Sequence, residues 1–193
     1  MLASLALIAL PQGAATLLLL ALFIAATALL ALRTTPDGAS KMALVSACGA
    51  VLMTAGAASG EHALVLAGVI WTGGHLTLAY AVSGWSKLAI ARWRDGSALS
   101  KTLSSYIWGH RLPAGLLRSN SLALVLAWTL MLGEALFPLV LFAPPEVLVA
   151  ALGAMFLFHA GTALFMGLNT YPWGFAAAYP AVFALSAWLR DSV

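Results

Sequence analysis

The sequence predicts an all-α fold: a polytopic transmembrane helix bundle, with about six spans plus an interfacial amphipathic helix, forming one transmembrane domain over residues 1–193. Hydrophobic residues fill 63% of the chain and charged residues only 8%, with a mean hydropathy of +1.00. Soluble domains carry roughly 25% charged residues, so this chain has too few to build a water-facing surface. The apolar residues also come in runs too long and too unalternating for barrel strands, which leaves helices as the spanning structure.

A span needs about 20 mostly apolar residues. Segments 14–32, 42–58, 63–87, 121–142, 147–168 and 174–189 meet or approach that length, the second and last being short. Turn-forming residues separate them. Pro36, Asp37 and Gly38 follow the first segment, Ser59, Gly60 and Glu61 the second, and Pro144 and Pro145 the fourth. Residues 1–12 have no basic stretch ahead of their apolar residues, so they read as an interfacial lead-in to the first span and not as a signal peptide.

Residues 88–120 interrupt the pattern. Arg92, Arg94, Lys101, Arg111 and Arg118 keep this stretch out of hydrocarbon. Within it Leu99, Leu103, Tyr106, Ile107 and Leu112 recur at roughly helical spacing, opposite Ser100, Lys101, Ser104 and Ser105. That pattern predicts a helix lying in the membrane interface over 97–118, the alternative being a plain solvated loop. Arg33 and Lys41 lie in the loop after the first span, whereas the loops around Glu61 and Glu146 have no Lys or Arg. The positive-inside rule therefore places the basic loops in the cytoplasm and the N-terminus outside. The expected location is the inner (plasma) membrane, with the lipid bilayer as the first partner. The net charge of +3 belongs to those loops, and no nucleic-acid surface is expected. Cys48 is the single cysteine, which excludes an internal disulfide; no metal site is expected.

Ionisable residues inside the spans carry the functional signal. An Asp, Lys or Arg at mid-helix costs about 2.5–3.5 kcal/mol on insertion scales, so each such residue calls for a partner. His75, Glu134 and His159 stand out. Counted from the basic side, they lie about 12, 13 and 9 residues in, which at about 1.5 Å per residue puts all three near the midplane. A carboxylate beside imidazoles can share or relay a proton, and the same residues can also join helices by hydrogen bonds. Lys87 ends the third segment, where a lysine commonly snorkels. It is 12 residues from His75, about 120° round an ideal helix. Asn169, Tyr171 and Trp173 close the fifth segment on the Lys87 side. Asn169 is a candidate cap or ligand contact, and aromatic residues at this level form an interfacial belt.

Three segments resemble a known family: Tyr80–Gly96 (YAVSGWSKLAIARWRDG), Leu132–Leu139 (LGEALFPL) and Phe158–Trp173 (FHAGTALFMGLNTYPW). Their order and spacing are similar to the membrane part of vitamin K-dependent gamma-carboxylase and its bacterial relatives, the horizontally transferred transmembrane (HTTM) proteins. The likeness covers residues 69–189. It implies that Lys87 is the base that deprotonates a hydroquinone, with His159 as a second catalytic residue from the Phe158-His159 pair. The family's Glu-x-x-x-Pro pattern matches Glu134 and Pro138. A lysine suits this task because desolvation favours the uncharged amine that accepts a proton. Leu88, Ala89 and Ile90 stand where the family has acidic residues, and the carboxylase's soluble domain has no counterpart in this sequence.

The resulting expectation is a quinone-handling enzyme or maturation subunit. Lys87 and His159 would be catalytic, and His75, Glu134 and Asn169 would form a pocket and proton relay. Tyr80, Trp85, Tyr171 and Trp173 would line the ligand, a quinone or hydroquinone. Other membrane or secreted proteins are the expected protein partners. Two further readings are a non-catalytic scaffold subunit, for which the small residues around Ala55 to Ala58, Gly73-Gly74 and Gly153-Ala154 favour close helix packing, and a DoxX-like redox accessory protein.

Overall fold

A computed structural model of the chain describes residues 37–105 and 120–192, together with Ala21 and Ile24. The expected first span at 14–32, the lead-in at 1–12 and the part of the interfacial segment beyond residue 105 lie outside the described residues. The described residues form helices joined by short turns, with no strand among them.

Helix α1 (Gly38–Ser59) starts four residues earlier than the expected segment. Asp37 caps it, its side chain accepting the Ser40 amide at 2.7 Å. Gly60, at φ 75°, stops it, and the Glu61 amide returns to the Gly56 carbonyl at 2.9 Å. Helix α2 (His62–Ala89) then doubles back along α1. The hairpin is close because small residues face each other: a Cβ on Gly68 would lie 2.6 Å from the Gly49 carbonyl oxygen. At 28 residues, α2 is about 42 Å long and forms the axis on which most of the other described elements pack.

The basic stretch folds into α3 (Ala91–Arg94) and α4 (Ser97–Ser104), a short helix with no buried residue. Gly96 takes φ 78° between them and approaches the backbone of α5 (Asn120–Ala135) at Leu124. Trp128 donates its indole N–H to the Arg94 carbonyl at 3.0 Å. The first half of α5 therefore runs beside the basic stretch, beyond the end of α2, and only its second half lies against α2.

Pro138 explains where α5 ends. It has no N–H to offer the Glu134 carbonyl four residues earlier, and its ring crowds that carbonyl. The chain continues as a 3-10 segment, Phe137–Phe142, so the expected single helix over 121–142 is two pieces. Helix α6 (Pro145–Met166) ends at Gly167 in the left-handed region. The last expected span, 174–189, is likewise two helices, α7 (Tyr171–Ala176) and α8 (Tyr179–Asp191). α8 crosses α2 at Gly73, where a Cβ would sit 3.0 Å from the Ala181 carbonyl oxygen. Ser186 donates to the Leu141 carbonyl at 2.6 Å and Arg190 to that of Ala143 at 2.9 Å, which anchors α8 to the 3-10 segment.

Among the described residues three helices, α1, α2 and α6, are long and apolar enough to cross a membrane. The outward faces are apolar as well. Val125 is 61% exposed and Leu157 71%, with Leu78, Val82, Leu139 and Leu164 similarly open. Such a surface would aggregate in water and suits lipid. The buried core is thin by comparison, centred on Leu76, Tyr80, Phe137, Leu148, Val182 and Leu185.

Candidate functional site

The site grows from one row of α2. His75, Ala79, Ser83 and Lys87 recur every four residues, and such a row drifts only about 40° round the helix per step. All four line a cavity of about 480 Å³. The 120° between His75 and Lys87 therefore does not separate them, because the cavity wall follows the row. Side chains lean toward the N-terminus of their helix, and Lys87 accordingly reaches back to donate to Ser83 Oγ.

Lys87 also donates to Glu134 Oε2, and the two form an ion pair. The Glu134 side chain is 4% exposed and that of Lys87 18%. The ammonium lies 5.6 Å from the centre of the Trp93 ring, a favourable face for a cation. Lys87 is thus an engaged charge within the bundle and not a lysine extended to the surface. Glu134 lies where it does because α5 begins beyond the end of α2. It meets Lys87, twelve residues along α2 from His75, or about 18 Å of helix. The expected equal depth of His75 and Glu134 is thereby corrected. Counting from the ends of the basic stretch assumed that both helices start at one level.

Across the cavity α6 presents His159, which is buried, with its Nε2 3.1 Å from the Tyr80 hydroxyl. Its ring stacks on Phe175 of α7 at 4.0 Å and tilts against Phe158 at 4.9 Å. Tyr80 packs in turn on Phe137 at 4.7 Å. His159 Nδ1 is buried with no hydrogen-bond partner in the described structure, so the imidazole is held by one polar contact and four aromatic rings, those of Tyr80, Phe158, Tyr171 and Phe175. Tyr80→Phe removes that contact and strands a second ring nitrogen. The expected cost is about 1–3 kcal/mol, to be read as a lower unfolding temperature in detergent.

The remaining wall comes from α1 and α7. Lys41, Met42 and Val45 line the cavity, as does Tyr171, whose ring lies 5.8 Å from that of His159. Lys41, Ser83 and Phe175 were not singled out from the sequence. Ser83 follows from the four-residue spacing that ends at Lys87. Lys41 read as a loop charge because the Asp37 cap, which starts α1 early, was taken as part of a turn.

Three expected site residues lie elsewhere. Asn169 is exposed in the turn after α6, its amide on the Gly167 carbonyl at 2.9 Å. Trp85 is 61% exposed, away from the row that lines the cavity. Trp173 is 71% exposed and meets Phe156 edge-on at 6.2 Å. None of the three lines the cavity. Lys87, His75, Glu134, His159, Tyr80 and Tyr171 all do. Among the described residues no three His, Cys, Asp or Glu side chains converge as a metal-ligand set.

The arrangement defines a class: a bundle of apolar helices, some long enough to cross a membrane, holding a paired lysine and glutamate on the wall of a cavity that Tyr80, Phe158, Tyr171 and Phe175 also line. Comparison of the chain with protein-family models, curated proteins and solved structures gives no match.

Proposed function

We propose that this chain is a multi-pass protein of the inner membrane, with about six spans, that binds a flat, polar-headed lipid of the quinone or hydroquinone kind and moves a proton at its head group. The likeness to the membrane part of the HTTM and vitamin K-dependent carboxylase family belongs to this proposal. The observation that carries it is the Lys87–Glu134 pair on the wall of the cavity. An ammonium is not a base, but the carboxylate beside it can take its proton. The neutral amine then accepts the proton of a ligand hydroxyl: the ligand O–H bond breaks, a Lys87 N–H bond forms, and the ligand oxygen becomes an anion. Glu134 keeps the first proton until the site resets. Phe158, Phe175 and Tyr171 suit a flat ring, and His159 and Tyr80 orient one another on the wall.

Solvent extraction of the purified protein, followed by mass spectrometry, tests the proposal. A quinone-like lipid is expected at near one per chain, lost in Lys87→Ala and depleted in His159→Ala when only the folded, monodisperse fraction of each variant is extracted. A native protein free of such lipid, or variants that retain it in full, would remove the basis for the reading.

One observation favours a scaffold as the second reading. A Cβ at Gly153 or Gly161 of α6 would meet nothing described within 4 Å, which leaves room for another helix to approach, including one from a membrane or secreted partner. Under that reading Lys87→Ala and His159→Ala leave function unchanged. For a DoxX-like redox role the chain offers only Cys48, half-buried and without a second thiol.

A further inference from the structure

His75 takes no part in the proton transfer above, yet its ring is oriented by a hydrogen bond and a ring contact. Nδ1 lies 2.7 Å from the Trp71 carbonyl oxygen. The imidazole packs against the Trp71 indole at 4.2 Å between ring centres. The indole is itself tied to α1, donating Nε1–H to the Val45 carbonyl at 3.1 Å. A carbonyl oxygen can only accept, so in the neutral ring the proton sits on Nδ1. Nε2 then carries a lone pair, on the side of the ring away from the Trp71 carbonyl.

Several of the other polar groups on the wall are donors or are engaged, although His159 keeps a buried Nδ1 without a partner in the described structure. Lys41 and Lys87 carry ammonium groups, Glu134 is paired with Lys87, and Tyr80 and His159 are bonded to each other. Among the described residues no hydrogen bond is made to His75 Nε2, which lies well away from the ion pair. Lys87 Nζ is bonded at the level of Ser83, eight residues from His75, or about 12 Å along α2.

We infer that His75 Nε2 accepts a hydrogen bond from a hydroxyl or N–H group of the bound ligand, and so selects a ligand carrying a donor at the end of the cavity remote from Lys87. The inference rests on the cavity being a ligand site, and it adds a donor requirement at the end remote from the chemistry. An ether, ester or ketone placed there sets lone pair against lone pair and is disfavoured.

Two probes that share the naphthalene ring separate the possibilities: 1-naphthol, which has an O–H, and 1-methoxynaphthalene, in which a methyl group replaces that hydrogen. In the full chain labelled with 15N-histidine, the His75 resonances are those missing from His75→Gln. They are expected to show Nδ1 protonated and Nε2 bare. Adding 1-naphthol is expected to shift the Nε2 signal, and 1-methoxynaphthalene to leave it in place. In His75→Phe, followed by tryptophan quenching, 1-naphthol affinity is expected to fall about 5- to 10-fold and that of 1-methoxynaphthalene to hold. A purely packing role for His75 moves both probes alike. A proton on Nε2, or equal responses to the two probes, overturns the inference and leaves the cavity reading standing. Failure of both probes to bind, with the stated tautomer present, overturns the cavity reading and the inference with it.

Discussion

Glu134→Ala is expected to destabilise the protein more than any other change at the site, by about 3–5 kcal/mol. The carboxylate is the one acidic group paired with Lys87 among the described residues, and the ammonium sits inside the bundle with only Ser83 and the face of Trp93 left to it. Removing Glu134 strands a positive charge whose desolvation cost was offset by that contact. Glu134→Gln keeps an oxygen that can accept from Lys87 and loses only the charge, so its cost is expected to be smaller. Unfolding temperature in a mild detergent, set beside the yield of monodisperse protein, measures both. Equal behaviour of the Ala and Gln variants would show that the carboxylate serves as filler and not as a partner.

The second large effect is expected at Gly84, where α2 and α5 come closest. A Cβ there would fall 2.7 Å from the Ala135 Cα and 2.8 Å from the Met131 carbonyl oxygen. Those neighbours are backbone atoms, so the helices themselves must move apart. Gly84 lies one turn from Lys87, and Ala135 follows Glu134. The shift that relieves the clash therefore also pulls the ion pair apart. Gly84→Ala is expected to cost about 1–3 kcal/mol from overpacking alone, together with loss of the bound lipid. Gly74→Ala is the matched control. It gains the same helix propensity on the same helix, and its Cβ meets nothing described within 4 Å. It is expected to be neutral or to gain up to about 1 kcal/mol. If the two alanine variants unfold alike, the close approach at Gly84 carries no weight.

The helical membrane character of the chain was legible because composition and run length are collective properties, insensitive to any single contact. His75, Glu134 and His159 were legible for a related reason. The cost of an ionisable group in hydrocarbon is large enough to mark a residue before its partner is known. The partner itself was not legible. Lys87 read as a helix-end lysine and Glu134 as a neighbour of His75. Both readings depended on where α5 starts relative to α2, and that offset follows from the Trp128–Arg94 bond and the Gly96 turn, neither of which has a periodic signature. Pro138 lies inside the segment expected as one span over 121–142 and was not read as a break, although it ends α5 directly after the buried carboxylate. Trp85 and Trp173 failed as lining residues because aromatic character alone does not say which face of a helix meets lipid.

The central claim is that Lys87 and Glu134 act as one unit inside the bundle, and a double-mutant cycle measures it most directly. Lys87→Met and Glu134→Met, singly and together, would be compared by unfolding free energy in one detergent. Each single variant is expected to be strongly destabilised and the double variant to recover most of the loss, since two methionines bury no charge. A coupling of about 2 kcal/mol or more meets the expectation. Additive losses, with the double variant the least stable of the three, would mean that the two side chains do not meet.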